Sequence, residues 1–242
     1  MNDLKILAVE CSATPASAAI IDGEKLVAQA FANVKLTHSQ TLMPMIENLL
    51  AASKINLNDI EGFAISNGPG SFTGVRIGIS AIKGLAAAKK LPCVGVSTLL
   101  AMAYNYSDTD CIVCAVMDAR CNQFYNAIFD IQDGIISRLC NDRALMGDEL
   151  VEEIKKISQS SDKCVIIIGD GAEVFYKSVC DINNVRKAHP SREFQNAVGV
   201  GYAALESFQN GKTISPNELL PFYLRLPQAE RELKMKKENE KS

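Results

Sequence analysis

The chain has 242 residues and a mass of 26.2 kDa, a length that favours two compact domains or one large one. It is 48% hydrophobic and 22% charged, a composition that excludes disordered, collagen-like and coiled-coil chains. The net charge of −3 provides no general attraction for a phosphate backbone, so the composition disfavours a protein that binds nucleic acid by itself.

No run of residues predicts a membrane span or an export signal. The longest apolar runs, such as residues 111–117, are far shorter than the ~20 residues that cross a bilayer. No basic region leads into a long apolar core at the N-terminus, and Glu10 interrupts the first hydrophobic run. We therefore expect a cytoplasmic protein without membrane contact, whose eight cysteines are free thiols.

The N-terminal hundred residues predict a three-stranded meander and two further strands. These predicted strands cover residues 4–10, 18–21, 26–31, 62–66 and Cys93–Ser97. Between the second and third strands, Asp22-Gly23 is a strong hairpin signal, because both turn positions need residues that tolerate positive φ.

Two helices are predicted among these strands. The spacing of Thr37 and Gln40 predicts a capping box at the start of the first helix. Pro44 lies within its apolar pattern and predicts a kink or a later start. The apolar residues on one face of this helix are Leu42, Ile46, Leu49 and Leu50. The second helix, residues 75–89, is apolar nearly all round, so a single sheet cannot cover it.

The same order of elements returns from residue 111. The predicted elements are strands at 111–117, 124–131 and 135–139, a turn at Asp133-Gly134, a helix at 148–158 and a strand at Val165–Ile168. This echo predicts a duplicated βββαβα unit and therefore an α/β protein with two lobes. The predicted divisions are an N-terminal lobe (1–108), a C-terminal lobe (109–215), a return segment (216–229) and a charged, disordered tail (230–242). Further helices are predicted at 191–208 and 215–220.

The first strand of each unit ends on a carboxylate, Glu10 in one and Asp118 in the other. This arrangement resembles the actin-like ATPase (ASKHA) fold, in which a nucleotide lies between the lobes and acidic strand ends organise Mg²⁺. The resemblance assigns nucleotide contacts to Ser12, Gly169 and Gly171 as well. However, neither the loop at 11–14 nor the loop at 119–123 contains a glycine, so backbone amides cannot approach phosphates closely. We expect a vestigial site for ATP or ADP with Mg²⁺, no catalytic residue and no resident cofactor.

Other catalytic and metal sites find little support. Cys111 and Cys114 are spaced as CxxC, but residues three apart on a strand point to opposite faces, so the two thiols cannot coordinate the same metal ion. The chain has two histidines and no GxSxG elbow, which disfavours a hydrolase triad. The loop at 68–74 matches neither a P-loop nor GxGxxG, and we expect Ser71 or Thr73 to cap the helix that follows.

Four phrases carry a more specific resemblance than any single motif. They are SNGPGSFTGVRIG (66–78), MDARCNQFY (117–125), GDGA (169–172) and PFYLR (221–225). In order and spacing they resemble the TsaB family, also called YeaZ, from residue 4 to about residue 225. Two stretches depart from the family pattern, residues 10–12 and residues 121–123, and both lie in the predicted cleft.

The resemblance implies a two-lobed subunit that is not itself the catalyst. Its implied partners are the paralogous, metal-dependent transferase TsaD and the ATPase TsaE. Together they attach a threonylcarbamoyl group to the adenosine next to the anticodon in tRNAs reading ANN codons, and the subunit meets tRNA only through the complex. The metal-binding HxxxH of TsaD has no equivalent at residues 95–102, which contain no histidine and therefore predict no metal site.

The second apolar face of the helix at 75–89 predicts the working surface, because such a face is an exposed patch in a monomer. We expect the layer formed by residues 38–51 and 76–88 to bind TsaD in the cell and a second copy when the protein is alone. The predicted contact residues are His38, Leu42, Met45, Leu49, Arg76, Ile79 and Lys83.

Alternatives remain at this stage. The helix at 75–89 could be internal, covered by other helices and by the returning chain. The protein could instead be a stand-alone actin-fold ATPase or kinase, or a peptidase-like enzyme. A third alternative is direct tRNA binding through the lysine-rich residues 234–241.

Overall fold

The computed structural model describes residues 4–225, which form eleven strands and six α-helices in two lobes. The predicted tail at 230–242 and the end of the predicted return segment lie outside the described residues. Within residues 4–225, the helices are all too short or too polar to cross a membrane.

The N-terminal lobe is built on a five-stranded sheet. Its strands are β1 (Lys5–Glu10), β2 (Ala16–Asp22), β3 (Lys25–Ala32), β4 (Gly62–Gly68) and β5 (Cys93–Ser97), in the order β3-β2-β1-β4-β5. β1 pairs antiparallel with β2 and parallel with β4, and β4 pairs parallel with β5. The parallel strands β1, β4 and β5 therefore end at the same edge of the sheet, which faces the other lobe.

The C-terminal lobe repeats this arrangement. Its strands are β6 (Cys111–Asp118), β7 (Gln123–Gln132), β8 (Ile135–Arg138), β9 (Arg143–Met146), β10 (Val165–Ile168) and β11 (Val185–Lys187), in the order β11-β10-β6-β7-β8, with β9 also paired to β7. Between β7 and β8, Asp133 and Gly134 both have positive φ, 52° and 78°, as the predicted hairpin turn requires.

The helices and the two sheets form five layers, with helices outside each sheet and between them. The helices are α1 (His38–Ser53), α2 (Phe72–Lys89), α3 (Thr98–Ala103), α4 (Gly147–Ser160), α5 (Ala172–Tyr176) and α6 (Ala197–Gln209). α1 and α2 pack on the outer face of the N-terminal sheet, and α4 and α5 pack on the outer face of the C-terminal sheet. α3 and α6 pack on each other between the two sheets; α3 contributes to the inner cores of both lobes, whereas α6 packs on the N-terminal sheet.

The two-lobed α/β fold and its internal duplication are confirmed. Counted from β1 and from β6, both sheets have the same strand order and the same succession of connecting helices. The repeat is longer than predicted, βββαβαβα, because β5 and α3 in the first lobe correspond to β11 and α6 in the second. The three-residue strand β11 and the six-residue helix α3 are too short to produce a clear periodic signal.

The chain crosses back to the first lobe earlier than expected. α6 packs on β1, β2, β4 and β5, and Ile214 forms a backbone bridge with Cys93. Residues 197–215 therefore pack with the N-terminal sheet, although α6 is the last element of the second duplicated unit. The predicted helix at 191–208 begins only at Ala197, and the one at 215–220 is reduced to a single 3-10 turn, Pro216–Glu218.

Two helix starts differ in how they are capped. Ser71 caps α2 as predicted, since its hydroxyl accepts a hydrogen bond from the amide of Gly74 at 3.3 Å. Thr37 stands at the cap position of α1, but its side chain makes no capping bond to the helix, so the predicted capping box is wrong. The expected later start is wrong as well, because α1 begins at His38 and continues through Pro44.

Candidate functional site: the cleft and the outer helical face

A cavity of about 610 Å³ opens between the lobes where β1 and β6 end. One wall consists of the loop after β1, the segment before α1 and the first turn of α2, and the other consists of the loop after β6 with Asp170. Its polar lining comprises Ser12, Thr14, Lys35, His38, Ser71, Thr73, Asp118, Arg120 and Asp170. Of the five residues predicted to contact a nucleotide, only Ser12 and Asp118 line this cleft.

Glu10 is completely buried beneath the cleft. Its Oε1 accepts a hydrogen bond from the amide of Ser12 at 2.5 Å. Burial raises the pKa of the Glu10 carboxyl group, and the neighbouring Ser12 and Ser66 side chains offset part of the rise. A carboxyl group that resists ionisation below the floor of the cleft does not suit Mg²⁺, which prefers ionised carboxylates. The predicted role of Glu10 is corrected accordingly.

Gly169 and Gly171 are glycines for reasons of packing. The amide of Gly169 donates to the carbonyl of Glu193 at 2.8 Å, and that of Gly171 donates to the carbonyl of Val116 at 3.2 Å. Gly169 has a φ of +114°, and a Cβ there would lie 2.1 Å from the Val116 oxygen. Both amides are thus used inside the lobe, and neither glycine is placed to cradle a nucleotide.

The loop after β6 is closed on itself. Arg120, Cys121 and Asn122 all have positive φ, between 54° and 65°, a conformation that costs roughly 1 kcal/mol or more for each residue with a side chain. The amide of Ala119 donates to the Gln123 carbonyl at 2.9 Å, and the amide of Arg120 donates to Asp118 Oδ1 at 2.7 Å. These amides are therefore not available to a phosphate group.

Asp170 is the cleft residue that sequence reasoning missed, although it stands between the two glycines of the GDGA phrase. Burial raises its pKa from 3.8 to about 6, and the neighbouring carboxyl groups of Asp118 and Glu10 make smaller contributions to the rise. Gln195 Nε2 approaches Asp170 Oδ1 at 3.5 Å. Among residues 4–225, no cluster of three or more His, Cys, Asp or Glu side chains is arranged to hold a metal ion. The cleft therefore offers Asp118 and Asp170 on one wall without a cluster of three metal-ligating side chains among the described residues.

The predicted docking residues divide into core and surface. Leu42, Leu49 and Ile79 are at most 5% exposed and belong to the core between the N-terminal sheet and α1 and α2. They are therefore unavailable to a partner, which corrects the prediction for these three. Met45 and Lys83 are half-buried, and Arg76 is exposed.

His38 belongs to the rim of the cleft. Its Nε2 lies 2.8 Å from the carbonyl oxygen of Ala13, in the loop after β1. Partial burial lowers the pKa of the ring below its usual value. His38 therefore joins the start of α1 to the floor of the cleft.

The outer face of α2 is partly covered by the returning chain. Residues 216–225, which we call the C-terminal strap, run along the helix, and Lys83 Nζ donates to the carbonyl of Asn217 at 3.3 Å. The residues of α2 left exposed to solvent are Thr73, Arg76, Ser80, Gly84, Ala87 and Ala88. One side of the helix is therefore internal, and another is exposed to solvent.

The strap also reaches the second lobe. The ring of Tyr223 stacks on Phe72 with centroids 4.5 Å apart, and Arg76 Nε donates to the Tyr223 hydroxyl at 2.7 Å. Two residues further on, Arg225 Nη1 donates to the carbonyl of Ala119 at 2.9 Å. The strap, which contains the PFYLR phrase, therefore connects α2 to the loop after β6.

Known proteins resemble the chain over almost its whole length. The family model described as TsaD, tRNA N6-adenosine threonylcarbamoyltransferase, matches residues 30–232. The tRNA threonylcarbamoyladenosine biosynthesis protein TsaB of Escherichia coli is 31% identical over 92% of this chain and 95% of that protein. The TsaB protein of Bacillus subtilis is 26% identical over 94% of this chain and 96% of that protein.

Solved structures agree on the fold. YeaZ from Pseudomonas aeruginosa superposes with a TM-score of 0.74 at 23% identity, covering 91% of this chain and all of that one. A second structure, of a Pseudomonas aeruginosa protein described as uncharacterized with similarity to peptidase YEAZ, gives a TM-score of 0.75 over 92% of this chain. At this identity the likeness establishes the shared fold only. Together with the matches to the family model and to the E. coli protein, it shows that the chain belongs to the TsaB family of tRNA threonylcarbamoyladenosine biosynthesis proteins.

Proposed function

We propose that this chain is a non-catalytic subunit required for threonylcarbamoyladenosine modification of tRNAs that read ANN codons. In this proposal it is the scaffold and activator of a TsaD-type transferase and works together with the TsaE ATPase. The observation that carries the proposal is the state of the cleft: Glu10 is buried, and the amides of Gly169, Gly171, Ala119 and Arg120 are bonded within the protein. Because these amides are not available to bind phosphate groups in the cleft, we infer that the subunit works by binding other proteins through its surface.

The free face of α2, together with the exposed part of α1, is the docking surface in this proposal. Of the contact residues predicted from the sequence, Arg76 and Lys83 lie on this face of α2, and the half-buried Met45 lies on α1. The TsaD-type partner, which shares a family model with this chain, occupies the surface in the cell. A second copy occupies it when the subunit is alone. tRNA is reached only through the assembled complex, in the cytoplasm.

Reconstitution tests the proposal. The full-length chain is combined with the TsaD-type and TsaE-type proteins of the same organism, and modified adenosine is measured by nucleoside mass spectrometry. We expect modification to depend on this chain and to survive Asp118→Ala and Asp170→Asn in the cleft. A complex that modifies tRNA equally well without the chain would refute the proposal.

The rival enzyme activities are tested with the isolated chain. A stand-alone ATPase, kinase or peptidase must turn over nucleotide or peptide without any partner, and must lose that turnover when Asp118 and Asp170 are replaced. We expect no turnover above buffer by either the natural chain or the double variant. Turnover that the double variant loses would favour the enzyme alternative.

A further inference from the structure

α2 is strongly cationic in an acidic protein. Residues 72–90 contain Arg76, Lys83, Lys89 and Lys90 and no aspartate or glutamate, whereas the whole chain has a net charge of −3. None of the ion pairs formed among the described residues includes one of these four side chains. Their charge is therefore not neutralised by direct pairing and gives this side of the lobe a positive potential.

The acceptors that hold these cations are neutral. Lys83 Nζ donates to the backbone carbonyl of Asn217, and Lys89 Nζ donates to the side-chain oxygen of Asn58. An ammonium group has three donors, so each lysine keeps donors for a second acceptor. A carboxylate arriving from outside would add to these bonds and would displace no internal ion pair.

Arg76 has the geometry of an anchor. Its Nε donates to the Tyr223 hydroxyl, and its guanidinium carbon lies 5.5 Å from the centre of the Tyr223 ring and 5.9 Å from that of Phe72. In the part of the chain that the structure describes, no acceptor meets its two terminal nitrogens, and the residue is exposed. A planar fork held in place suits bidentate binding of a carboxylate, because little side-chain entropy remains to be lost.

The surface between the cations lets a partner come close. Ser80, Gly84 and Ala87 are exposed along the same helix, and each side chain is small. A helix laid against them can approach within the usual interaxial distance of about 8–10 Å. Arg76 and Lys90 lie near opposite ends of this face, about 21 Å apart along the helix axis, so carboxylates spaced along a partner helix can reach both.

We propose that α2 receives a helix with a carboxylate-bearing face from the TsaD-type partner, with Arg76 as the anchor and Lys83 and Lys90 beside it. This inference rests on the proposed function and names the chemistry of the partner's surface. It also ranks the two occupants of the face. In a symmetric pair of this chain, cations of one α2 face cations of the other, so charge favours the heterodimer over the homodimer.

The test measures association of the full-length chain at two salt concentrations, about 0.05 M and about 0.5 M, which differ severalfold in Debye length. Titration calorimetry follows binding to the TsaD-type partner, and analytical ultracentrifugation follows self-association. We expect high salt to weaken the heterodimer and to leave self-association unchanged or stronger. The double variant Arg76→Glu/Lys83→Glu should weaken the heterodimer by at least about thirtyfold at low salt.

Controls separate local charge from total charge and from folding. Lys177→Glu lowers the net charge by two, as Arg76→Glu alone does, but on the exposed surface of the other lobe, and should alter affinity less than about threefold. Arg76→Lys keeps the charge but loses the fork, so it should fall between the natural chain and Arg76→Glu. Circular dichroism and thermal melting of each variant confirm that the fold is retained.

Three results would overturn the inference. They are a heterodimer that high salt strengthens, natural affinity in the double variant, and a homodimer tighter than the heterodimer at low salt. Binding of the isolated chain to tRNA that the double variant loses would assign the face to a phosphate backbone and would also overturn it. If the natural chain fails to bind the partner at either salt concentration, the proposed function fails. If it binds the partner with an affinity that depends on neither salt nor the charge substitutions, this inference fails and the proposed function stands.

Discussion

Asp170 should make the protein less stable as the pH rises. Its pKa is raised from 3.8 to about 6, chiefly by burial, while in the unfolded chain the carboxyl group ionises at its ordinary value. Below pH 3.8 both states hold the proton and Asp170 costs nothing. Between pH 3.8 and pH 6 the unfolded chain releases the proton more readily than the folded chain, so the free energy of unfolding falls; above pH 6 the penalty is constant.

The magnitude follows from the size of the shift. A rise of about two pKa units corresponds to about 3 kcal/mol, since one unit is about 1.4 kcal/mol. Because Asp170 retains some solvent contact on the cleft wall, about 3 kcal/mol is an upper bound. Asp170→Asn keeps the size of the side chain and an oxygen for Gln195, but it cannot ionise. It should therefore remove this penalty.

Urea denaturation of the natural chain and Asp170→Asn at pH 4, 5, 6 and 7.5 measures the effect. The two proteins should be nearly equal in stability at pH 4, and the variant should gain up to about 3 kcal/mol by pH 7.5. Asp162→Asn is the matched control, because Asp162 is exposed in the same lobe, and its difference from the natural chain should not depend on pH. A difference curve for Asp170→Asn that is flat, or that falls with rising pH, would refute the reasoning.

Three further predictions concern the core, the turn after β10 and the thiols. Ile79→Asp places a charge in the core and should cost more than about 4 kcal/mol of unfolding free energy. Ala88→Asp on the exposed face should cost only about 1 kcal/mol, from lost helix propensity and the helix dipole, and equal effects by denaturation would contradict the assignment of the two faces. Gly169→Ala should destabilise by about 2–3 kcal/mol because of its positive φ and the Val116 carbonyl, and a neutral result would show that the turn relaxes. Cys121 and Cys180 are exposed and should react with a thiol reagent at once, while the buried cysteines react only on unfolding; rapid labelling of all eight thiols would count against the described core.

Much of the fold could be predicted from local patterns. Strands, helices and tight turns each impose their own spacing of apolar and turn residues on the sequence. The apolar runs, the two Asp-Gly hairpin signals and the apolar helical segments therefore identified both lobes and the duplication. The N-cap at Ser71 was predictable for the same reason, because a hydroxyl before a helix satisfies an amide two or three residues away. Short elements such as β11 and α3 were missed, since a few residues carry no periodic signal.

The site could be predicted only in part. Glu10 and Gly169 were assigned to a nucleotide cleft because strand ends and glycine turns serve that purpose in the resembling fold. The structure assigns them to burial and to close packing against Val116, which depend on what the other strands bring to the same place. Asp170 was overlooked because its environment is created chiefly by burial against residues that lie far from it in the chain.

Periodicity, turn chemistry and motif order are properties of neighbouring residues, so they suffice to identify a duplicated α/β protein of the TsaB family. Which face of α2 is exposed depends instead on tertiary packing. The helix is apolar nearly all round, and its buried side is chosen by the sheet, α1 and a strap that begins more than a hundred residues later. Whether a residue is buried depends on residues distant in the chain that pack against it. Ile79 could therefore be assigned to the core, and Arg76 to the surface, only from the folded structure.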